Sequence, residues 1–453
     1  MKYVLIFIIL FSLPLVVGGG VVFIGNPYAI NYVLGFALLV LGVFSICFHL
    51  YASSSPNIFS PQVIVPVVYI FIFGFGIFNN NIRQPELLTL PILIVVVSLL
   101  GFVLGCRIKS RVKLYNNVSH LIYDKKSVYI IVFFVVFLSM LAAVFMILKV
   151  GLPFLYEDAV TGRLDARRAV SSWTIYIMRS SQIAFFVFLA FKLKEFGGVK
   201  RKDIPFIAIF WVLVAFINLI PGWRGQVVFF ALGTLVLINF SYRKFSFFKA
   251  AFFGILMLVI TVGWGLYRRL SEADQSASVA FLSQFVDSEF ELVVALATLS
   301  VSVYMFGLMK VVEIVPNVFS HTYGGVYLST WATALPGESP TIGSQIMEAL
   351  ELDFGGAGIN VTFPGEAYID FGFVGVFLYS LIFGYFLGLA YRASLYSTKG
   401  VVVYSYFVIT FIVGTMTGVL GQAIYTFNLI LLFLVLFLIK GCRYQYANTS
   451  RAQ

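Results

Sequence analysis

Arg224 lies in the stretch INLIPGWRGQVVFF (217–230), where one apolar run ends and the next begins. A guanidinium is a rigid fork of donors that stays charged at physiological pH, which suits it to phosphates and carboxylates. Pro221 and Gly222 break the preceding run, so a helix starting here adds freed amides and a positive helix end to the arginine's charge. Arg268 and Arg269 end another apolar run in GLYRRLSEADQ, and Arg179 interrupts a third in YIMRSSQ. Arg163, Arg167 and Arg168 sit among acids in YEDAVTGRLDARRAV (156–170). The set is suited to binding an anion. Its plain alternative is a group of anchors whose long side chains reach the membrane surface, with i,i+4 ion pairs in 156–170.

Groups able to accept a proton from a hydroxyl are also present. Glu366 in FPGEAYIDFGFVG (363–375) opens an apolar run, Glu291 ends DSEFE (287–291) ahead of another, and His321 stands in SHTYGG. A solvated acid or a structural histidine is the competing reading for each. No DxD, HExxH, P-loop or nucleotide fingerprint is present, so neither a nucleotide-sugar donor nor a dedicated metal cage is expected, and no cofactor. Cys47, Cys106 and Cys442 are scattered, without the spacing of a disulfide framework or a metal site.

The elements that must position these residues are apolar helices. Of 453 residues, 61% are hydrophobic and 11% charged, against about 25% charged in soluble domains. The long runs lack the period-two alternation of a barrel, which leaves an all-α polytopic membrane protein. Twelve spans are expected, near 3–24, 30–51, 61–79, 87–106, 128–149, 173–191, 204–221, 225–240, 250–267, 372–391, 401–418 and 422–439. The first is read as a span because its apolar run exceeds a signal-peptide core and no A-x-A site follows. The glycine pairs Gly101/Gly105 and Gly384/Gly388 have the spacing of close helix packing.

Charge orients the spans. Segments 107–127, 192–203, 241–249 and the tail 440–453 are basic, which assigns them and both termini to the cytoplasm. Most of the net charge of +11 is then topological, and no nucleic-acid partner is implied. On this orientation the cytoplasmic basic residues are mostly lysine, whereas the others are Arg83, Arg163, Arg167, Arg168, Arg179, Arg224, Arg268 and Arg269 against only Lys149 and Lys310. Arginine outside points again to anion binding. Arg179 falls within a span, where an ion costs nominally about 2.5 kcal/mol or more and usually faces a cavity or partner. Parity between 241–249 and 391–400, both inside, makes 292–312 an interfacial, re-entrant or buried helix rather than a thirteenth span. Residues 268–370 thus form one large extracytoplasmic loop with short helices, in a chain read as a single integral membrane domain over 1–453.

GWRGQ at a span junction, YRRLSEAD ending a later span, the large outside loop and INVTFPGEAYIDFGFVGVFLYSLIFG together resemble the Wzy-type oligosaccharide repeat-unit polymerases of O-antigen, capsule or common antigen. The resemblance implies a type C glycosyltransferase-like enzyme of the bacterial inner membrane. It would join repeat units carried on undecaprenyl diphosphate at the periplasmic face, without metal or nucleotide. Membrane lipid and a chain-length regulator protein are the implied partners. Arg224 and one of Arg268 and Arg269 match the family's recurring arginines, and Gly365 and Glu366 match its stretch ahead of a late span. His321 lies in the region where the related ligases carry a histidine, in a different local context. The expected roles are diphosphate binding for Arg224 and Arg269, with Arg268 and Arg179 in support and Arg163, Arg167 and Arg168 as weaker contacts. Glu366, Glu291 or His321 would be the base. An O-antigen ligase and a lipid-linked oligosaccharide flippase are the alternatives.

Overall fold

The computed structural model describes residues 29–52, 57–74, 76–77, 85–108, 121–153, 170–222, 225–246, 249, 303–332, 341–351, 359–418, 422–439 and 441–443. These are almost entirely helical. In chain order the helices are α1 (Ala29–Ala52), α2 (Pro61–Tyr69), α3 (Thr89–Arg107), α4 (Lys125–Val150), α5 (Ser172–Lys194), α6 (Ile204–Leu219) and α7 (Gly225–Ser241). There follow α8 (303–314), α9 (Gly325–Ala332), α10 (Ile342–Ala349), α11 (Phe363–Tyr396), α12 (Thr398–Thr417) and α13 (Ala423–Leu438). Two short strands, β1 (Leu121–Tyr123) and β2 (Gly441–Arg443), pair antiparallel with Leu121 opposite Arg443.

Helices lie over ten of the twelve expected stretches, and the remaining two, 3–24 and 250–267, fall outside the described residues. Among the described residues, six helices are long and apolar enough to cross a membrane: those of Thr89–Arg107, Lys125–Val150, Ser172–Lys194, Arg201–Leu219, Phe363–Tyr396 and Thr398–Thr417. The doubtful stretch 292–312 is described from 303 onward. There it is a helix whose Met305, Leu308, Met309, Val311 and Ile314 are buried. Its Gly307 and the Gly343 of α10 both abut the backbone of 359–360: an added Cβ would stand 2.1 Å from the Asn360 carbonyl oxygen and 2.3 Å from that of Ile359. The segment leading into α11 is therefore clamped where two glycines leave room for backbone.

The chain divides into two compact units. The first comprises Met1–Ile108, Phe245–Gly388 and Thr410–Ala423. At its centre α3 crosses α11 with the backbones in contact. A Cβ on Gly101 or Gly105 would meet the carbonyl oxygens of Phe377 and Leu381 at 2.7 and 2.2 Å, and one on Gly384 or Gly388 those of Phe102 and Cys106 at 2.5 and 2.8 Å. The two glycine pairs visible in the sequence are thus the two sides of one contact, close enough for dispersion to hold helices that gain nothing from hydrophobic exclusion in lipid. A buried hydroxyl chain runs beside it: Tyr69 Oη to Ser98 Oγ at 2.6 Å and Ser98 Oγ to Ser380 Oγ at 2.7 Å. Phe102 fills the remaining space against Phe363 and Phe411, with ring centroids 5.4 and 5.0 Å away.

The second unit comprises Lys109–Lys244, Leu389–Ile409 and Ile424–Gln453. Its axis is α5, buried along nearly its whole length, whereas most of α4 is not. A helix enclosed on all sides must satisfy its polar side chains internally. Ser180 Oγ meets Ser139 Oγ of α4 at 3.0 Å. Gln182 donates to Asn218 Oδ1 of α6 at 2.9 Å, and Asn218 Nδ2 donates to Ser181 Oγ at 3.0 Å. By contrast α4 leaves Phe133, Phe134 and Leu148 exposed, as a lipid-facing helix would.

Replacing Gly105 or Gly384 by Val forces a side chain into backbone that has no room to yield. Each is expected to cost roughly 1–3 kcal/mol and to lower the thermal midpoint of the detergent-solubilised protein, read by fluorescence size-exclusion chromatography. Leu104→Ala, on the exposed side of α3, is expected to leave the midpoint nearly unchanged. Equal losses from all three would remove the special role of the glycine contact.

Candidate functional site

The first unit gathers its polar side chains around a break in α11. Thr362, buried and at φ 63, starts the helix: its carbonyl accepts from Glu366 N at 3.0 Å and its hydroxyl from Gly365 N at 3.4 Å. Left-handed backbone is uncommon for a β-branched residue and is a mark of local strain. The helix then fails at Phe371 (φ −142°, ψ 22°) and Gly372 (φ 60°, ψ −148°) and resumes as the long apolar segment. The sequence placed the span's start at 372, and the structure has the break there. Residues 363–370 form an additional helical arm before it.

A broken helix turns carbonyls out of their ladder, and these need donors. Segment 321–323 supplies them: Thr322 N donates to Ile369 O at 3.1 Å and Tyr323 N to Asp370 O at 3.0 Å. His321 Nδ1 lies 3.2 Å from the same Ile369 oxygen. A carbonyl can only accept, so this contact assigns the proton to Nδ1 and leaves the lone pair of neutral imidazole on Nε2. The ring packs edge-on against Tyr368, centroids 5.8 Å apart, and its Cε1 and Nε2 stand 3.5 Å from where a Cβ on Gly372 would be. His321 is half-buried, and among the described residues no hydrogen bond reaches Nε2.

Asp370 is wholly buried. Its Oδ1 accepts from Thr322 Oγ1 at 2.5 Å, Gly324 N at 3.1 Å and Val326 N at 3.2 Å, while Oδ2 accepts from Tyr379 Oη at 3.3 Å. Three donors converge on Oδ1 and one reaches Oδ2, and two of the four are backbone amides at the start of α9, where negative charge is favoured. Tyr323 (φ 50) and Gly324 (φ 96) make the turn that aims those amides. In the sequence Asp370 is only one more acid, in the stretch FPGEAYIDFGFVG. The signals that could have singled it out are the Thr-x-Gly-Gly run after His321 and the glycine two residues after the aspartate.

Of the expected bases, Glu366 is 1% exposed. Its carboxylate lies against Gly418, where an added Cβ would sit 2.1 Å from Oε1, and Gly418 itself has φ +86°. Glu366 thus lies on the arm 363–370 and His321 packs against its end, and of the two only the histidine is partly exposed. Arg179 belongs to the second unit and is 8% exposed. Tyr425 hydrogen-bonds it, and Tyr406 and Tyr176 also lie within its electrostatic reach, so its guanidinium is enclosed by phenols rather than extended toward a membrane surface. Glu291, Arg224, Arg268, Arg269, Arg163, Arg167 and Arg168 fall outside the described residues. Among the described residues no group of three His, Cys, Asp or Glu side chains is placed to hold a metal ion.

Gly418→Ala adds a left-handed strain, roughly 1–2 kcal/mol, to a collision with Glu366. Gly324→Ala carries the strain at φ +96° with nothing within 4 Å of the new carbon. The first is expected to lower the thermal midpoint more than the second, and equal shifts would mean that Glu366 is free to move aside.

The arrangement can hold one imidazole ready to accept a proton, beside a helical arm bearing a buried carboxylate. Comparison with known proteins gives this arrangement a family. No curated protein and no solved structure matches the chain. A family model described as "Putative O-antigen polymerase" matches residues 57–428 of 453, both units included. The chain therefore belongs to the O-antigen polymerase family.

Proposed function

We propose that this protein is a polysaccharide polymerase that joins undecaprenyl-diphosphate-linked oligosaccharide repeat units at the outer face of the bacterial cytoplasmic membrane. The family match and the run of apolar helices support the class of reaction. The basic segments 107–127, 192–203 and 241–249, read as cytoplasmic, support the orientation, with 268–370 and the break in α11 on the outer side.

In the proposed reaction an acceptor hydroxyl attacks the anomeric carbon of the donor saccharide. The new glycosidic bond forms, the bond to the diphosphate breaks, and undecaprenyl diphosphate leaves. Negative charge grows on the departing diphosphate, so guanidinium groups stabilise the transition state more than the ground state. Arg224, Arg268 and Arg269 are assigned that work. Arg179 is a supporting charge, and Arg163, Arg167 and Arg168 are weaker contacts. The acceptor's proton goes to His321 Nε2.

The single observation that carries the choice of base is the contact of His321 Nδ1 with the Ile369 carbonyl, which leaves Nε2 without a partner among the described residues on a half-buried ring. Glu366, buried against Gly418, is better suited to holding the arm in place than to meeting a hydroxyl.

The purified protein, given only lipid-linked repeat unit, is expected to produce a ladder of oligomers. A ligase would give none without its separate acceptor, and a flippase would move the substrate across sealed vesicles without forming a bond. Arg224→Lys is expected to abolish the ladder with an unchanged chromatographic profile, and His321→Ala to slow it by roughly 10²–10⁴. Full activity of Arg224→Lys would sink the diphosphate assignment.

A further inference from the structure

The mechanism above uses His321 but leaves Asp370 unassigned. Asp370 is wholly buried and its carboxylate is already engaged by Thr322, Gly324, Val326 and Tyr379, so it is not placed to meet an acceptor hydroxyl. What those bonds fix is the segment that carries the histidine. Three of the four donors lie at 322–326, immediately after His321, and 44 to 48 residues before the aspartate. The carboxylate and the two carbonyls bared by the break at Phe371–Gly372 therefore dock this segment from one side.

We propose that Asp370 is a positioning residue for the transfer reaction: by docking 321–326 it keeps His321 Nδ1 on the Ile369 carbonyl, and so keeps the Nε2 lone pair turned to the acceptor. A histidine not held this way exchanges between tautomers, and in the one with its proton on Nε2 it offers the acceptor a donor instead of a base. The carbonyl that sets the tautomer and the carboxylate that docks the segment come from adjacent residues, Ile369 and Asp370, at the end of one helical arm. Gly372 is the third element, since at φ 60° it makes the break and with only hydrogen on its Cα it leaves space beside Cε1 and Nε2. The proposal rests on His321 being the base, and its test separates the two.

The chain has three histidines, so protein labelled with ¹⁵N-histidine in lipid nanodiscs gives imidazole signals that His321→Asn assigns by removing one set. Wild type is expected to show the neutral His321 ring with its proton on Nδ1. Asp370→Ala is expected to bring in the Nε2–H tautomer and slow the ladder roughly ten- to a hundredfold, the loss usual when a group orienting a histidine is removed. Asp370→Asn keeps an oxygen toward Thr322, Gly324 and Val326 and is expected to restore most of both readouts. If Asp370→Ala is not recovered folded, Thr322→Val removes only the shortest of the bonds and is expected to shift the tautomer the same way by less. An unchanged tautomer in folded Asp370→Ala, or in Thr322→Val where the alanine variant does not fold, overturns the proposal whatever the activity. A His321→Asn protein that still polymerises at the wild-type rate overturns the base assignment instead, and does so without reference to Asp370.

Discussion

A helix that stops in mid-course leaves carbonyl groups that must find donors, and in the first unit that requirement organises the surroundings of the site. At Phe371–Gly372 the ladder of α11 is interrupted, and the bared oxygens of Ile369 and Asp370 are met by the amides of Thr322 and Tyr323. The Asp370 side chain adds a charged acceptor for the turn that starts α9. Each side answers the other: segment 321–326 brings the donors and the arm the acceptors, and an unmet buried polar group would cost free energy on either side. Their mutual satisfaction places a histidine beside a glycine and holds it there.

The rest of the first unit keeps the arm where this can happen. Residues 359–360 run past Gly307 and Gly343 with no room for a side chain at either, which fixes the approach to Thr362. Below the break, α11 is held against α3 by the four glycines, and Phe363 at the head of the arm packs on Phe102 of α3 and Phe383 further along its own helix. The second unit uses another solution. Its axis α5 is enclosed, and its run Arg179, Ser180, Ser181 and Gln182 finds hydroxyl, amide and phenol partners on neighbouring helices instead of water. In each unit the polar groups at the centre of the packing meet partners on neighbouring helices.

Much of the fold was legible because a membrane solvent imposes a simple code: long apolar runs mark helices, and their ends are marked by charge or by glycine and proline. Ala29–Ala52 and Thr89–Arg107 fall within a residue or two of where hydropathy put them. The arm 363–370 was not legible as helix, because Glu366 and Asp370 make it polar enough to read as loop. The glycine pairs were visible by spacing, but nothing local joins Gly105 to Leu381 or Gly384 to Phe102. Asp370 was passed over for the same reason. A buried aspartate and a solvated one look alike in sequence, and three of its four donors lie 44 to 48 residues away. Glu366 was legible as unusual, yet its neighbour Gly418 lies just past the end of α12, and no short-range pattern connects the two. Arg179 stood out as an ion in an apolar run, whereas the phenols around it come from Tyr176 on its own helix and from Tyr406 and Tyr425 far along the chain.

The contact between α3 and α11 also bears on how the chain is made. Ser98 and Ser380, which meet within it, are 282 residues apart, so at usual synthesis rates roughly 15–55 s separate their appearance from the ribosome. Throughout that interval α3 stands in the bilayer without the partner that its glycine face meets in the finished structure. Its apolar stretch, of mean hydropathy 2.6, suits it to that wait, and the glycines cost little there because a helix in lipid keeps every backbone bond whatever its side chains. Docking then comes late, when the apolar part of α11 enters, and only after it does the arm beyond Gly372 have a fixed base from which to reach segment 321–326. Insertion and assembly are thus two separate events for this helix pair, and the site is finished by the second.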